Sequence, residues 1–115
     1  MYRFSYAEIL DESATLNRER ERLALDKAVE LLTLAAKAEP GSREVMAAVA
    51  YLQKLWGFFI ADLADANNEL PRELRASLAS LGLGVIQECD RLISGTGGSI
   101  GLLIDINTAI RDGLK

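Results

Sequence analysis

The residues that carry most enzyme chemistry are scarce in this 115-residue chain. It has no histidine, so the usual general base near neutral pH is missing. A Cys–His nucleophile pair is equally out of reach, and no zinc-ligand spacing exists. Cys89 falls in step with aliphatic residues, which predicts a small buried hydrophobe rather than a nucleophile. Carboxylates remain as acids and bases. Asp62 with Asp65, and Glu88 with Asp90, are spaced as ordinary surface charges, and no pattern marks a pocket around them. The loop "GTGGSIG", 95–101, tempts a phosphate-cradle reading because a helix follows it. Yet no strand precedes it, no Lys-Ser/Thr pair ends it, and the G-x-G-x-x-G register fails at Ile100. It reads as a plain turn. The run "RERER", 18–22, compensates its own charges on a helix, Arg18 with Glu21 and Arg22 with Asp26. No enzymatic activity, cofactor, metal or small-molecule substrate is expected.

Bulk properties narrow the partners. Thirteen Lys and Arg stand against 17 Asp and Glu, a net charge of −4. Phosphate binding needs a surplus of cations, so direct nucleic-acid binding is not expected. One cysteine cannot make an intrachain disulfide. The opening "MYRFSYAEIL" lacks a signal peptide's apolar run, and the longest apolar stretch is broken by Gln53, Lys54 and Asp62. No membrane association and a cytoplasmic location are expected.

Four helical segments must position whatever surface matters, at about 15–38, 42–66, 71–93 and 99–112, after an N-terminal arm over 1–14. Pro40 and Gly41 stop the first, Ser42 caps the second, Pro71 suits the first turn of the third and Gly113 ends the fourth. Short connections favour antiparallel neighbours, so the expectation is one all-α domain, a four-helix bundle-like fold with a short N-terminal arm. The expected core stripes are Leu25, Val29, Leu32 and Ala36 on the first helix, and Val45, Ala48, Val49, Leu52, Leu55, Trp56, Phe59, Ile60 and Leu63 on the second. The third contributes Leu74, Leu78, Leu81, Val85, Cys89 and Leu92.

Some apolar residues are left over. Tyr51 and Phe58 sit seven apart on a flank of the second helix with Lys54, while Leu16, Leu23 and Leu34 point away from the first helix's stripe. Leu83 lies opposite Leu81 and Val85. Two readings stand: a wide apolar arc that touches two neighbours, or an exposed patch that receives a partner helix. The last helix poses the converse problem, because Asn107 interrupts the stripe of Ile100, Leu103, Ile110 and Leu114. A polar residue there either fixes helix register through a hydrogen bond or marks a seam left open for a partner. Asn107→Leu separates the two: higher stability with normal binding for the first, lost binding with an intact fold for the second.

Several segments together resemble the FlaF family of flagellar biosynthesis regulators of alphaproteobacteria. They are "YRFSYAEIL", "LDKAVELL", "YLQKLW", "NELPRELRASLASLGLGVIQE" and "INTAIRDGL". Order and spacing agree over nearly the whole chain, and the joint occurrence carries the resemblance. The weakest matches are "ISGTGGSI" and Gly84, where the family often has a bulkier residue. The resemblance implies post-transcriptional control of flagellin production or export, with flagellin as partner and FlbT as a functional companion. It points to a helical chaperone or adaptor for unassembled flagellin, whose amphipathic helical termini would lie against Tyr51, Lys54 and Phe58, with Leu83, Leu23 and Asn107 as further contacts. The alternative is a regulatory subunit that works through FlbT or another flagellar component without holding flagellin.

Overall fold

The computed structural model describes the backbone of residues 6–113 and the side chains of 18–113. Four helices form: α1 (Tyr6–Ala36), α2 (Arg43–Ala64), α3 (Arg72–Ser94) and α4 (Ile100–Gly113). Among the described residues there is no strand. The helices pack as α3 on α2, α2 on α1 and α1 on α4. Side-chain pairs fix the directions. Tyr51 reaches Ala24, Gln53 reaches Asp90 and Arg111 reaches Asp26, so α2 runs antiparallel to α1 and α3, and α4 antiparallel to α1.

α1 begins at Tyr6, well ahead of the expected 15, because nothing between Tyr6 and Thr15 breaks a helix. The expected arm is therefore, from residue 6 onward, the first turns of α1. At 31 residues α1 is about 46 Å long. This rod raises the radius of gyration to 16.3 Å, against about 13 Å for an ordinary domain of this length.

The other boundaries follow local chemistry. Ser42 caps α2, its Oγ accepting from the Val45 N–H at 3.4 Å. The α2–α3 loop is tied by Asp65 Oδ1 and Asn68 Oδ1, which accept from the N–H of Asn67 (2.8 Å) and Leu70 (3.0 Å). In the α3–α4 turn, Gly98 has φ +96°, and a Cβ there would lie 2.8 Å from Leu92 Cγ. Only glycine fits.

Trp56 is the largest buried side chain of the core, which also takes in Leu25, Leu32, Leu52, Val85 and Leu103. α2 has the length and apolarity of a membrane span, but in this fold it is the central core helix. Two expected stripes need correcting. On α1, Leu25 and Leu32 are buried as expected, but Ala28 and Ala35 complete the seam in place of half-buried Val29 and exposed Ala36. On α3, Leu74 is 44% exposed although it shares a face with Val85, which is fully buried. Leu16 and Leu114 lie outside the residues whose side chains are described.

Asn107 joins the core. It is fully buried, its Oδ1 accepts from Trp56 Nε1–H at 2.9 Å, and its Nδ2 donates to the Leu103 carbonyl at 2.7 Å. The amide thus locks α4 to α2 at one axial position. A polar bond of this kind inside an otherwise apolar layer specifies register.

Candidate functional site

α2 packs between α1 and α3, which leaves one side of it uncovered. That side carries Met46, Ala50, Lys54, Gly57, Phe58 and Ala61, all exposed, with Lys54 the sole charge among them. Phe58 is 75% exposed, the most open large hydrophobic residue among the described residues. The small residues around it leave its ring standing proud, a form that suits insertion between the side chains of another helix.

The neighbouring helices extend this face. Tyr51 is half-buried, and its hydroxyl donates to the Ala24 carbonyl at 2.9 Å, fixing α1 beside α2. Burial pushes its phenol pKa up, so it remains a donor at neutral pH. Leu23, next to Ala24, is exposed on the α1 side. On the other flank, Gln53 Nε2 donates to Asp90 Oδ1 at 2.8 Å. Leu83 is exposed two turns before Asp90 on the same side of α3. Lys54 and Phe58 on α2, Leu23 on α1 and Leu83 on α3 are thus all exposed, and Tyr51 is tied to α1. Asn107 lies in the core instead. The small residues Ala50 and Gly57 were absent from the expected site. Their signal was the scarcity of charge along that side of α2, where Arg43 and Lys54 are the charged residues.

Elsewhere the structure removes candidates for chemistry. Cys89 is buried, and burial first, then Asp90 and Glu88, pushes its thiol up to about 11. At neutral pH roughly one such thiol in ten thousand is ionised. The start of α4 is occupied by the chain's own acid: Glu88 Oε2 accepts from the Ser99 N–H at 2.9 Å and also pairs with Arg91. An anionic group already fills the place a phosphate would take. Asp26 is taken by Arg111 of α4 at 3.2 Å, not by Arg22 as the charge pattern suggested. Among the described residues no group of three or more Cys, Asp or Glu is placed to hold a metal.

Two depressions lie away from this face. The larger, about 780 Å³, is open space beside the turns at the α1 C-terminus and the α3–α4 connection. The smaller, about 140 Å³, opens beside Trp56 between Glu21 and Asp62 and is walled by core-type residues.

The sequence profile of the family described as "Flagellar protein FlaF" matches residues 2–114. The chain belongs to the FlaF family. No curated protein and no solved structure matches it. Membership carries a general role in flagellar regulation.

Proposed function

We propose that this FlaF protein controls flagellin production or export by binding unassembled flagellin as a helical chaperone or adaptor. One observation carries the reading: the outer face of α2, where Phe58 projects among alanine and glycine beside Lys54. Flagellin termini are amphipathic helices that lack partners before assembly. Laid across α2, such a helix covers Phe58, Leu23 and Leu83, while Lys54 offers a cation for an acidic residue beside its apolar stripe.

The magnitudes are adequate. A standard interface buries about 800 Å² on each side, and ordering a loose segment costs several kcal/mol. Full burial of one Phe side chain returns about 1.5–3 kcal/mol, or roughly tenfold to a hundredfold in affinity.

The test is co-elution of the purified protein with monomeric flagellin in the absence of FlbT. A stable complex is expected, weakened at least tenfold by Phe58→Ala with helicity unchanged. No complex with flagellin alone, but a complex with FlbT, would favour a regulatory subunit acting through FlbT instead.

A further inference from the structure

The charges on the outer side of α2 have a pattern of their own. Arg43 and Lys54 are eleven residues apart, three turns of helix, so they leave the same side about 16 Å from one another. Both are exposed, and Met46, Ala47 and Ala50 between them on that side carry no charge. Phe58 stands one turn beyond Lys54.

Neither cation has an acid of its own. Among the described residues, the side chains of Arg43 and Lys54 make no ion pair or hydrogen bond. Three and four residues from Lys54 stand Ala50, Tyr51, Gly57 and Phe58, so α2 itself supplies no partner. The acids nearby are placed or engaged elsewhere. Glu44 and Asp62 share the side of Tyr51, which faces α1. Glu30 lies 3.8 Å from Lys27 within α1, Asp90 of α3 holds Gln53, and Asp65 at the end of α2 binds the Asn67 N–H.

Two internal sources of a matching acid fail. Lys54 lies at the middle of α2, so two copies paired along this side in full overlap, parallel or antiparallel, set Lys54 against Lys54. The sequence before residue 6 (MYRFS) and after residue 113 (LK) adds Arg3 and Lys115 and no acidic side chain. The complement must come from another protein.

We infer that this side of α2 selects a client helix, laid lengthwise on it, that carries two acidic residues three turns apart beside its apolar stripe. One meets Arg43 and one meets Lys54, and a small residue one turn further on admits the Phe58 ring. This rests on the reading of the protein as a flagellin-binding adaptor, and it gives the bound segment a pattern and a length of about four turns, the span from Arg43 to Phe58. At a shallow crossing angle two helices stay in contact over that distance. Each exposed ion pair strengthens binding at most about fivefold. The larger effect is on choice, because a helix with Lys or Arg at either place meets like charge.

The test measures the affinity of full-length monomeric flagellin for the protein at low and high salt. Arg43→Glu and Lys54→Glu, both at exposed positions, should each weaken binding about tenfold at low salt with helicity unchanged. Arg43→Gln with Lys54→Gln should weaken it less and flatten its dependence on salt. Flagellins with one acidic residue of a terminal helix changed to lysine should restore binding to one glutamate variant or the other, and the two rescuing positions should lie about eleven residues apart. No binding by the wild type would overturn both this inference and the proposed function. Binding weakened by Phe58→Ala, yet unmoved by charge reversal and by salt, would overturn the acidic pattern alone. So would rescue by no flagellin variant, or rescue at positions that are not three turns apart. A wild-type dimer in sedimentation that Phe58→Ala makes monomeric would give this side of α2 to a second copy. A lower melting temperature in Lys54→Glu with unchanged flagellin affinity would give the cation to the chain's own residues; either result overturns the inference.

Discussion

Replacing Asn107 with leucine strips Trp56 of its only hydrogen-bond acceptor inside a closed core, and the consequences can be worked through. The Trp56 Nε1–H, now 2.9 Å from Asn107 Oδ1, is left buried without a partner. An orphaned buried donor costs about 1–3 kcal/mol. The lost bond from Asn107 Nδ2 to the Leu103 carbonyl matters less, because that carbonyl still accepts within α4. Leucine returns part of the loss through apolar burial, about 1 kcal/mol given the tight fit. The net expectation is a destabilisation of about 1–2 kcal/mol, or roughly 4 °C in Tm for each kcal/mol. This reverses the sequence-based expectation that leucine at a register-setting asparagine raises stability. Trp56→Phe alone should also destabilise, by about 2–3 kcal/mol, through a void and an unpaired amide oxygen. The double variant removes donor and acceptor together, so its loss should be about 1–2 kcal/mol smaller than the sum of the two single losses. Urea unfolding followed by far-ultraviolet circular dichroism measures all four proteins. A stabilising Asn107→Leu, or a coupling below about 0.5 kcal/mol, would show that the Trp56–Asn107 bond does not stabilise the fold.

Three other perturbations test particular packing claims. At Gly82 a Cβ would sit 3.0 Å from both Ile60 Cγ1 and Trp56 Cε3, so Gly82→Ala should destabilise by about 1–3 kcal/mol. At Gly84 a Cβ meets nothing within 4 Å, so Gly84→Ala should gain up to about 1 kcal/mol in thermal unfolding. Tyr51→Phe should cost about 0.5–1.5 kcal/mol by losing the bond to Ala24, as urea unfolding would show. Glu21 carries a pH signature: its folded-state pKa is raised by burial, then by Asp62. The native state then binds the proton more tightly than the unfolded chain, so stability falls as pH rises through the window between the two values. Glu21→Gln should be more stable than the parent at pH 7, the gap closing as pH falls through the ordinary glutamate range, in a series of melting curves.

Much of the architecture was legible because it is written in local chemistry. Ser42, Pro71 and the glycine-rich turn mark the helix ends to within a residue or two of α2, α3 and α4. Two members of the α1 seam slipped by one residue because alanines at 28, 35 and 36 carry too little hydrophobic contrast to separate neighbouring faces. Gly82 and Gly84 are indistinguishable as letters, and only the approach of α2 to α3 makes one obligatory and the other free. Leu74 and Val85 have equivalent places in one stripe. Their exposures differ, Val85 fully buried and Leu74 44% exposed, which depends on axial position and not on pattern. The outer surface was half legible: Phe58, Leu23 and Leu83 stand out by position, whereas Tyr51 turned inward to a carbonyl that no spacing rule identifies.

On the proposed function, this protein covers the helical segments flagellin uses to assemble, and filament growth reports on that directly. Light scattering of monomeric flagellin seeded with filament fragments, with increasing amounts of the protein, should show elongation slowed in proportion to the protein added and stopped near equimolar. Phe58→Ala should need at least tenfold more. Elongation unaffected by an excess of correctly folded wild-type protein would contradict the account.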